Sequence, residues 1–301
     1  MNNTILVAGA TGDLGGRIVT ALRAKGANVR AVVRASSDPA KVQALETLGV
    51  AVVRADMDNV ADMTVACQGV SCVVSVLAGL RNTVIDTQKV LLDAAVKAGV
   101  PRFIPSDYSL DFTKFSTGEN RNLDLRREFH TYLDQAPIAA TTVFVGAFAE
   151  LITGDMPLVL FNQKIVLYWG EADHKMGFTT MNDTAHYTAN VALDSATPRY
   201  LRVAGDRISP RQIRDVVSGV HGEKFRLIRA GGSGLLGVII RITKTLAPGK
   251  EELYPAWQGM QYMRNMTDNR SDMAKLDNDR YPAMHWTTIS DVLTAHRAAG
   301  K

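Results

Sequence analysis

The segment "TILVAGATGDLGGRIVTALRAKG" (4–26) constrains the fold more than any other part of the chain. An apolar, β-branched run ends at Gly9, and an amphipathic run with helical spacing follows, with Gly9, Gly12 and Gly15 at the junction. A strand that turns at once into a helix needs glycine where the turn is tight. It needs glycine again where the helix packs closely on the strand, and at an intermediate point if the backbone is approached by a ligand. We therefore expect a strand at 4–9, a helix at 15–26, and a β-α unit that opens the fold.

The same alternation continues. Strands are expected at 28–34, 50–56, 71–77, 102–107 and 139–147. Helices are expected at 38–49, 60–69, 81–99 and 122–136. Asp38 and Pro39 mark the start of the second helix, and Gly49 and Gly99 close two of them. Runs such as "VVSVL" are apolar throughout, as parallel strands covered on both faces should be. Strands alternating with helices imply right-handed crossovers and an α/β doubly wound parallel sheet of the Rossmann kind. After about residue 150 the alternation loosens. We expect residues 1–150 to form the sheet domain and 151–301 a smaller α+β C-terminal lobe, with some segments returning to the sheet. On the helix at 81–99, Gln88 and Lys89 are expected to be exposed.

Composition excludes several classes. A formal net charge of +4 over 301 residues, with Lys and Arg scattered, gives no reason to expect nucleic-acid binding. The stretch 234–246 contains Arg241 and Lys244 and is too short to cross a bilayer. Cys67 and Cys72 match neither a redox pair nor a zinc site, and the histidines are dispersed, so no metal is expected. Two cysteines in so long a chain indicate a reducing, cytoplasmic setting.

The glycine loop also indicates a ligand. A helix that starts immediately behind it presents free N–H groups and a positive dipole end, the arrangement that holds a pyrophosphate. About twenty positions further on, at the end of the second strand, a site for unphosphorylated dinucleotide carries a carboxylate that bonds the ribose, whereas a phosphorylated one is met by arginine. "RAVVRASSDPAK" (30–41) offers Arg34 and no acid before Asp38. The expected cofactor is NADP(H).

Taken in order, "GATGDLG" (9–15), the strand end at Arg34, "RADMDN" (54–59), "AAVKAGVPRFIPSDYS" (94–109), "NDTAHYTANVALD" (182–194) and "NDRYPAMHWTTISDVL" (278–293) resemble the NmrA-like and isoflavone-reductase-like group of atypical short-chain dehydrogenases/reductases. The resemblance spans nearly the whole chain. It implies cofactor contacts at Gly9, Thr11, Gly12, Asp13, Leu14, Gly15 and Arg34. It further implies Asp56 and Met57 near the adenine, Leu77, Ala78 and Gly79 along the middle of the cofactor, and Val145, Gly146 and Phe148 near the nicotinamide. Members of the group are either NADPH-dependent reductases, which use a lysine on the helix before the sixth strand, or non-catalytic sensors of the dinucleotide that act through a protein partner.

That lysine is missing. No lysine lies between Lys114 and Lys164, and its place falls near Arg126. No tyrosine is followed four positions later by lysine either. The candidates that remain for the chemistry are Arg126, whose charge can face a ribose or a developing alkoxide; His130, one helical turn on; and Tyr108, just after the fifth strand. Arg126 and Arg127 are alternatively surface charges paired with Asp124 and Glu128. The aromatic and methionine-rich stretch 252–263 is either a substrate wall or core packing. The expected activity is reduction of a small carbonyl, quinone or enone-type substrate, and the alternative is a redox sensor with a regulatory partner.

Overall fold

The computed structural model describes residues 4–154 and 156–300. The chain divides into two compact units, each built from several segments: residues up to Tyr108 with 125–143 and 184–201 form one, and 109–124, 144–183 and 202 onward form the other. The division thus runs segment by segment rather than at a single point near residue 150.

The first unit carries a parallel sheet. Its strands are β1 (Thr4–Ala8), β2 (Asn28–Val33), β3 (Ala51–Arg54), β4 (Cys72–Ser75), β5 (Arg102–Ile104) and β6 (Ala139–Ala140), in the order β3-β2-β1-β4-β5-β6. All five pairings are parallel. The order reverses between β1 and β4, which makes the carboxyl ends of those strands the crevice where a doubly wound sheet takes its ligand. The crossover helices are α1 (Asp13–Ala24), α2 (Pro39–Thr47), α3 (Val60–Cys67), α4 (Gln88–Lys97) and α5 (Arg121–Leu133). α1 buries Ile18, Val19, Ala21 and Leu22, the face predicted by its apolar spacing. α2 starts where Asp38 accepts a hydrogen bond from Ala40 N–H and Pro39 takes the first turn. One core cluster lies between the sheet and α3, α4 and α5, from Leu6, Val73 and Phe103 to Met63, Leu91, Leu92 and Phe129. Cys67 and Cys72 are both free thiols in the interior.

The single strand expected over 139–147 is three short ones: β6, β7 (Thr142–Phe144) and β8 (Ala147–Phe148). β6 joins the parallel sheet, while Thr142 N–H turns away to Arg199 O. Gly146, at φ +69°, breaks the strand direction between β7 and β8.

The second unit holds β9 (Val159–Leu160), β10 (Ile165–Trp169) and β11 (Met176–Thr179), and after helix α6 (Met181–Leu193) and β12 (Tyr200–Arg202) come β13 (Asp206–Ile208), α7 (Pro210–His221) and β14 (Arg226–Gly231). Two three-stranded sheets result, β14-β10-β9 and β13-β11-β8. Ser209 and Gln212 form a reciprocal cap at the start of α7, and Gly222 ends it in the left-handed conformation. α8 (Ser233–Leu246), α9 (Ala256–Met266) and α10 (Ile289–Ala298) complete the unit. α8 buries Leu236 and Ile240 and leaves Leu235, Val238, Ile242 and Leu246 exposed. No helix among the described residues is long and apolar enough to cross a membrane.

Candidate functional site

The three glycines of the opening loop differ in what the fold itself demands of them. Gly9 has φ +92°, and a Cβ there would lie 2.5 Å from Val76 O. At Gly15 a Cβ would strike Gly9 O and lie 2.8 Å from Gly9 C and 3.1 Å from Ala10 Cα. Both positions are closed to other residues by backbone atoms of the same unit. Gly12 is not: its φ is −80°, it is exposed, and its nearest obstacle is Gly9 O at 3.3 Å. Gly12 is the N-cap of α1, and no side chain caps that helix. Asp13 pairs with Arg17 at 2.7 Å instead. An α-helix leaves its first N–H groups without partners inside the helix, and these carry its positive end. The loop therefore presents an uncapped helix start behind a residue with no bulk, a cradle suited to a phosphate.

Thr11, Asp13 and Leu14 lie in this loop and first turn, partly or fully exposed. Arg34 follows the last residue of β2 and is exposed. The nearest acid in sequence, Asp38, is committed to capping α2 through Ala40 N–H at 2.9 Å. Asp56 and Met57 follow β3, the first exposed and bonded to Asp58 N–H, the second buried. Leu77, Ala78 and Gly79 follow β4, with Ala78 exposed between two less accessible neighbours. These residues occupy the carboxyl ends of β1, β2, β3 and β4. Val145, Gly146 and Phe148 belong to the second unit, where Val145 N–H bonds Ser109 O and a Cβ on Gly146 would lie 2.8 Å from Gly177 C.

The three residues singled out for chemistry are placed very differently. His130 is 5 % exposed, and both of its ring nitrogens are engaged. Nε2 lies 2.6 Å from Asp107 Oδ2, and Arg199 Nη2 donates to Nδ1 at 2.9 Å. A guanidinium only donates, so Nδ1 must accept and Nε2 must carry the hydrogen, which it donates in a hydrogen bond to Asp107. Thr142 Oγ1 donates to the same Asp107 oxygen at 3.1 Å, and Arg199 also holds Asp134 at 2.8 Å. The imidazole is thus a neutral link in an interior network, which is a positioning arrangement and not that of an accessible proton donor. Tyr108 is buried, and burial pushes its phenol well above the ordinary value, with Thr188 beside it pulling the other way. Arg126, half-buried on α5, is the most accessible of the three. Glu128 is gripped by two guanidinium nitrogens of Arg81, and one Asp124 oxygen accepts from Gly118 N–H.

Other residues depart from expectation. Gln88 is fully buried, not exposed. Val84, Ile85, Leu91 and Leu92 stand three and four positions away on either side, so helical spacing already placed it on the apolar face. Asp107, Thr142 and Arg199 carry no sequence signal of their own. Trp257 and Met263 are buried within the second unit, with Arg121 and Lys244 over the Trp257 ring, so this part of 252–263 is packing. Among the described residues no group of three or more His, Cys, Asp or Glu side chains is placed to hold a metal ion.

Comparison with known proteins accords with this geometry. The model of the NmrA-like family matches residues 1–267. An isoflavone reductase homolog from Zea mays is 30 % identical over 238 residues, covering 74 % of this chain and 75 % of that protein. Among solved structures, leucoanthocyanidin reductase from Vitis vinifera in complex with NADPH superposes with a TM-score of 0.80 at 17 % identity, over 98 % of this chain and 99 % of that one. An NADPH-dependent quinone oxidoreductase from Escherichia coli, complexed with NADPH, gives 0.73 at 22 % identity over 97 % and 99 %. The fold is therefore that of these reductases, and the chain belongs to the NmrA-like family.

Proposed function

We propose that this protein is an NADPH-dependent oxidoreductase acting on a small carbonyl, quinone or enone-type substrate. The observation that carries the reading is Gly12. The packing of the protein constrains that position far less than Gly9 or Gly15, a Cβ meeting only Gly9 O in a tight 3.3 Å contact, yet it is glycine, and it stands in front of an uncapped helix start. The absence of bulk there serves a ligand that approaches the backbone. The pyrophosphate would be met by the N–H groups of Asp13, Leu14 and Gly15, and the 2′-phosphate by Arg34, whose planar fork suits a phosphate and faces no competing acid at the strand end. Bound, the dinucleotide supplies a hydride. The relatives support the same reading, since both solved structures described above hold NADPH.

On the chain's own side, Arg126 contributes positive charge that favours a developing alkoxide or holds a ribose. It does not supply a proton, because a guanidinium does not deprotonate in proteins. With His130 committed to Asp107 and Arg199, the proton for the reduced product comes from water.

Those same commitments support a second reading, a dinucleotide sensor without turnover that acts through a protein partner. A sensor must bind the two redox forms with different affinities. Titration with NADPH, NADP+, NADH and NAD+, followed by an acceptor panel, tests both. We expect the phosphorylated pair to bind and Arg34→Ala to abolish the preference for it. NADPH oxidation by any acceptor supports the enzyme. Strong discrimination between NADPH and NADP+ with no turnover supports the sensor. No binding of any of the four refutes both.

A further inference from the structure

The helix after β4 does not start as an α-helix. Residues Asn82–Thr87 form a π-helical turn, and α4 begins only at Gln88. Such turns are rare inside helices and are frequent at functional sites, because they redirect the side chains on either side. Polar or close contacts run from this turn and the first residue of α4 to several separate neighbours in the first unit. Thr83 packs on Gly79, where a Cβ would lie 2.5 Å from Thr83 Cβ. Thr87 Oγ1 donates to Asp58 Oδ1 at 2.7 Å. Gln88 Oε1 accepts from Ser106 N–H at 2.9 Å, while its Nε2 donates to Val84 O within the turn itself at 2.9 Å. Ser106 in turn donates its hydroxyl to Leu77 O at 2.8 Å. Arg81, just ahead of the turn, grips Glu128 on α5, two residues from Arg126.

The pattern of these contacts is selective. Asp58 follows β3, Gly79 and Leu77 follow β4, and Ser106 follows β5, so the bonds and the close packing land on the carboxyl ends of three strands. The rest of α4 holds the sheet through apolar contacts such as Leu91 and Leu92. Burying an amide completely is costly unless both of its ends are bonded. Gln88 is 0 % exposed and Thr87 5 %. A leucine or valine in either place would fill the core but leave Ser106 N–H or Asp58 Oδ1 without that partner. What these two side chains add is a set spacing between the loop that follows β3 and those that follow β4 and β5.

We propose that Thr87 and Gln88 are positioning residues for the dinucleotide, holding the loops at 56–58, 77–79 and 106–108 at the separation that the bound cofactor needs. The proposal rests on the NADPH reading above. Thr87→Val keeps the shape and removes the bond to Asp58, and Thr87→Ser restores the hydroxyl. Gln88→Met keeps the volume and removes both bonds. Leu92→Ala, in the same helix, removes apolar packing from the core cluster while leaving the bonds of Thr87 and Gln88 in place. NADPH affinity is measured by fluorescence titration alongside the melting temperature of each variant.

We expect Thr87→Val and Gln88→Met to weaken NADPH binding about ten-fold or more, since small displacements at a bound ligand are costly. We expect Thr87→Ser to return to within about three-fold of the parent, and Leu92→Ala to lower the melting temperature while keeping affinity within about two-fold. Unchanged affinity in Thr87→Val and Gln88→Met overturns the proposal and leaves the NADPH reading intact. So does failure of Thr87→Ser to recover, or an equal loss in Leu92→Ala, either of which makes the effect one of general stability. A parent protein that binds no NADPH overturns both.

Discussion

Replacing Gly12 and Gly15 separately by alanine should divide stability from binding. At Gly15 the added methyl meets only backbone: it strikes Gly9 O and lies 2.8 Å from Gly9 C and 3.1 Å from Ala10 Cα. Overpacking typically costs about 1–3 kcal/mol, and the upper end applies because no flexible side chain is available to yield. Alanine regains at most about 1 kcal/mol of helix propensity over glycine. The net loss is about 2 kcal/mol, or a melting temperature lower by about 3 °C at about 2.1 cal/mol/K of unfolding entropy per residue. At Gly12 the backbone is already in a conformation open to any residue, and the only contact is Gly9 O at 3.3 Å. Exchanging an N-cap glycine for alanine costs about 0.5–1 kcal/mol. Binding reverses the order of severity. A methyl on Gly12 stands where a phosphate must approach, and a ten-fold or greater loss of NADPH affinity, about 1.4 kcal/mol, is expected. Thermal unfolding and NADPH fluorescence titration of the two variants give both quantities. Parent-like NADPH affinity in Gly12→Ala would refute the ligand argument, and a Gly15→Ala that melts no lower than Gly12→Ala would refute the packing argument.

Other consequences follow from the interior of the first unit. His130→Leu leaves buried Asp107 without its imidazole partner, so urea unfolding should show a loss of about 1.5–3 kcal/mol; parent-like stability would show that the network holds nothing together. Arg102, 9 % exposed, donates to the carbonyls of Val191 and Ala192 at the end of α6 and to Thr197 Oγ1. Arg102→Met should cost about 2–4 kcal/mol by leaving those carbonyls unpaired, and a loss under about 1 kcal/mol would contradict this. Burial pushes the Cys67 thiol up to about 11 and the Cys72 thiol up to about 12, despite Arg30 and Arg102 nearby. Their folded values are raised, so their contribution is complete below the unfolded value near 8.5 and is lost as pH rises toward 11–12. Stability should therefore fall across that alkaline window, and less steeply in Cys72→Ala. A thiol reagent at pH 8 should label neither cysteine before the protein unfolds.

The local signals in this chain were legible without coordinates because they act over three or four residues. The turn at Gly9, the cap at Asp38 and the apolar face of α1 each depend on neighbours within one helical turn or one strand-to-helix junction. So does the alternation that implied a parallel doubly wound sheet, and Arg34 with no acid beside it. Even the burial of Gln88 is written in its flanking apolar residues, although a polar side chain on a helix points by itself to the surface. The tertiary structure alone decided the rest. Residues 139–147 read as one strand because their apolar character is continuous. Which partner each part pairs with depends on Arg199 and on β5, far away in the chain. His130 shares a helix face with Arg126 in sequence, yet its chemistry is set by Asp107, 23 positions earlier, and Arg199, 69 positions later. Sequence spacing places a residue on a face, but whether a titratable side chain faces a ligand or a buried partner is settled only where distant segments pack together.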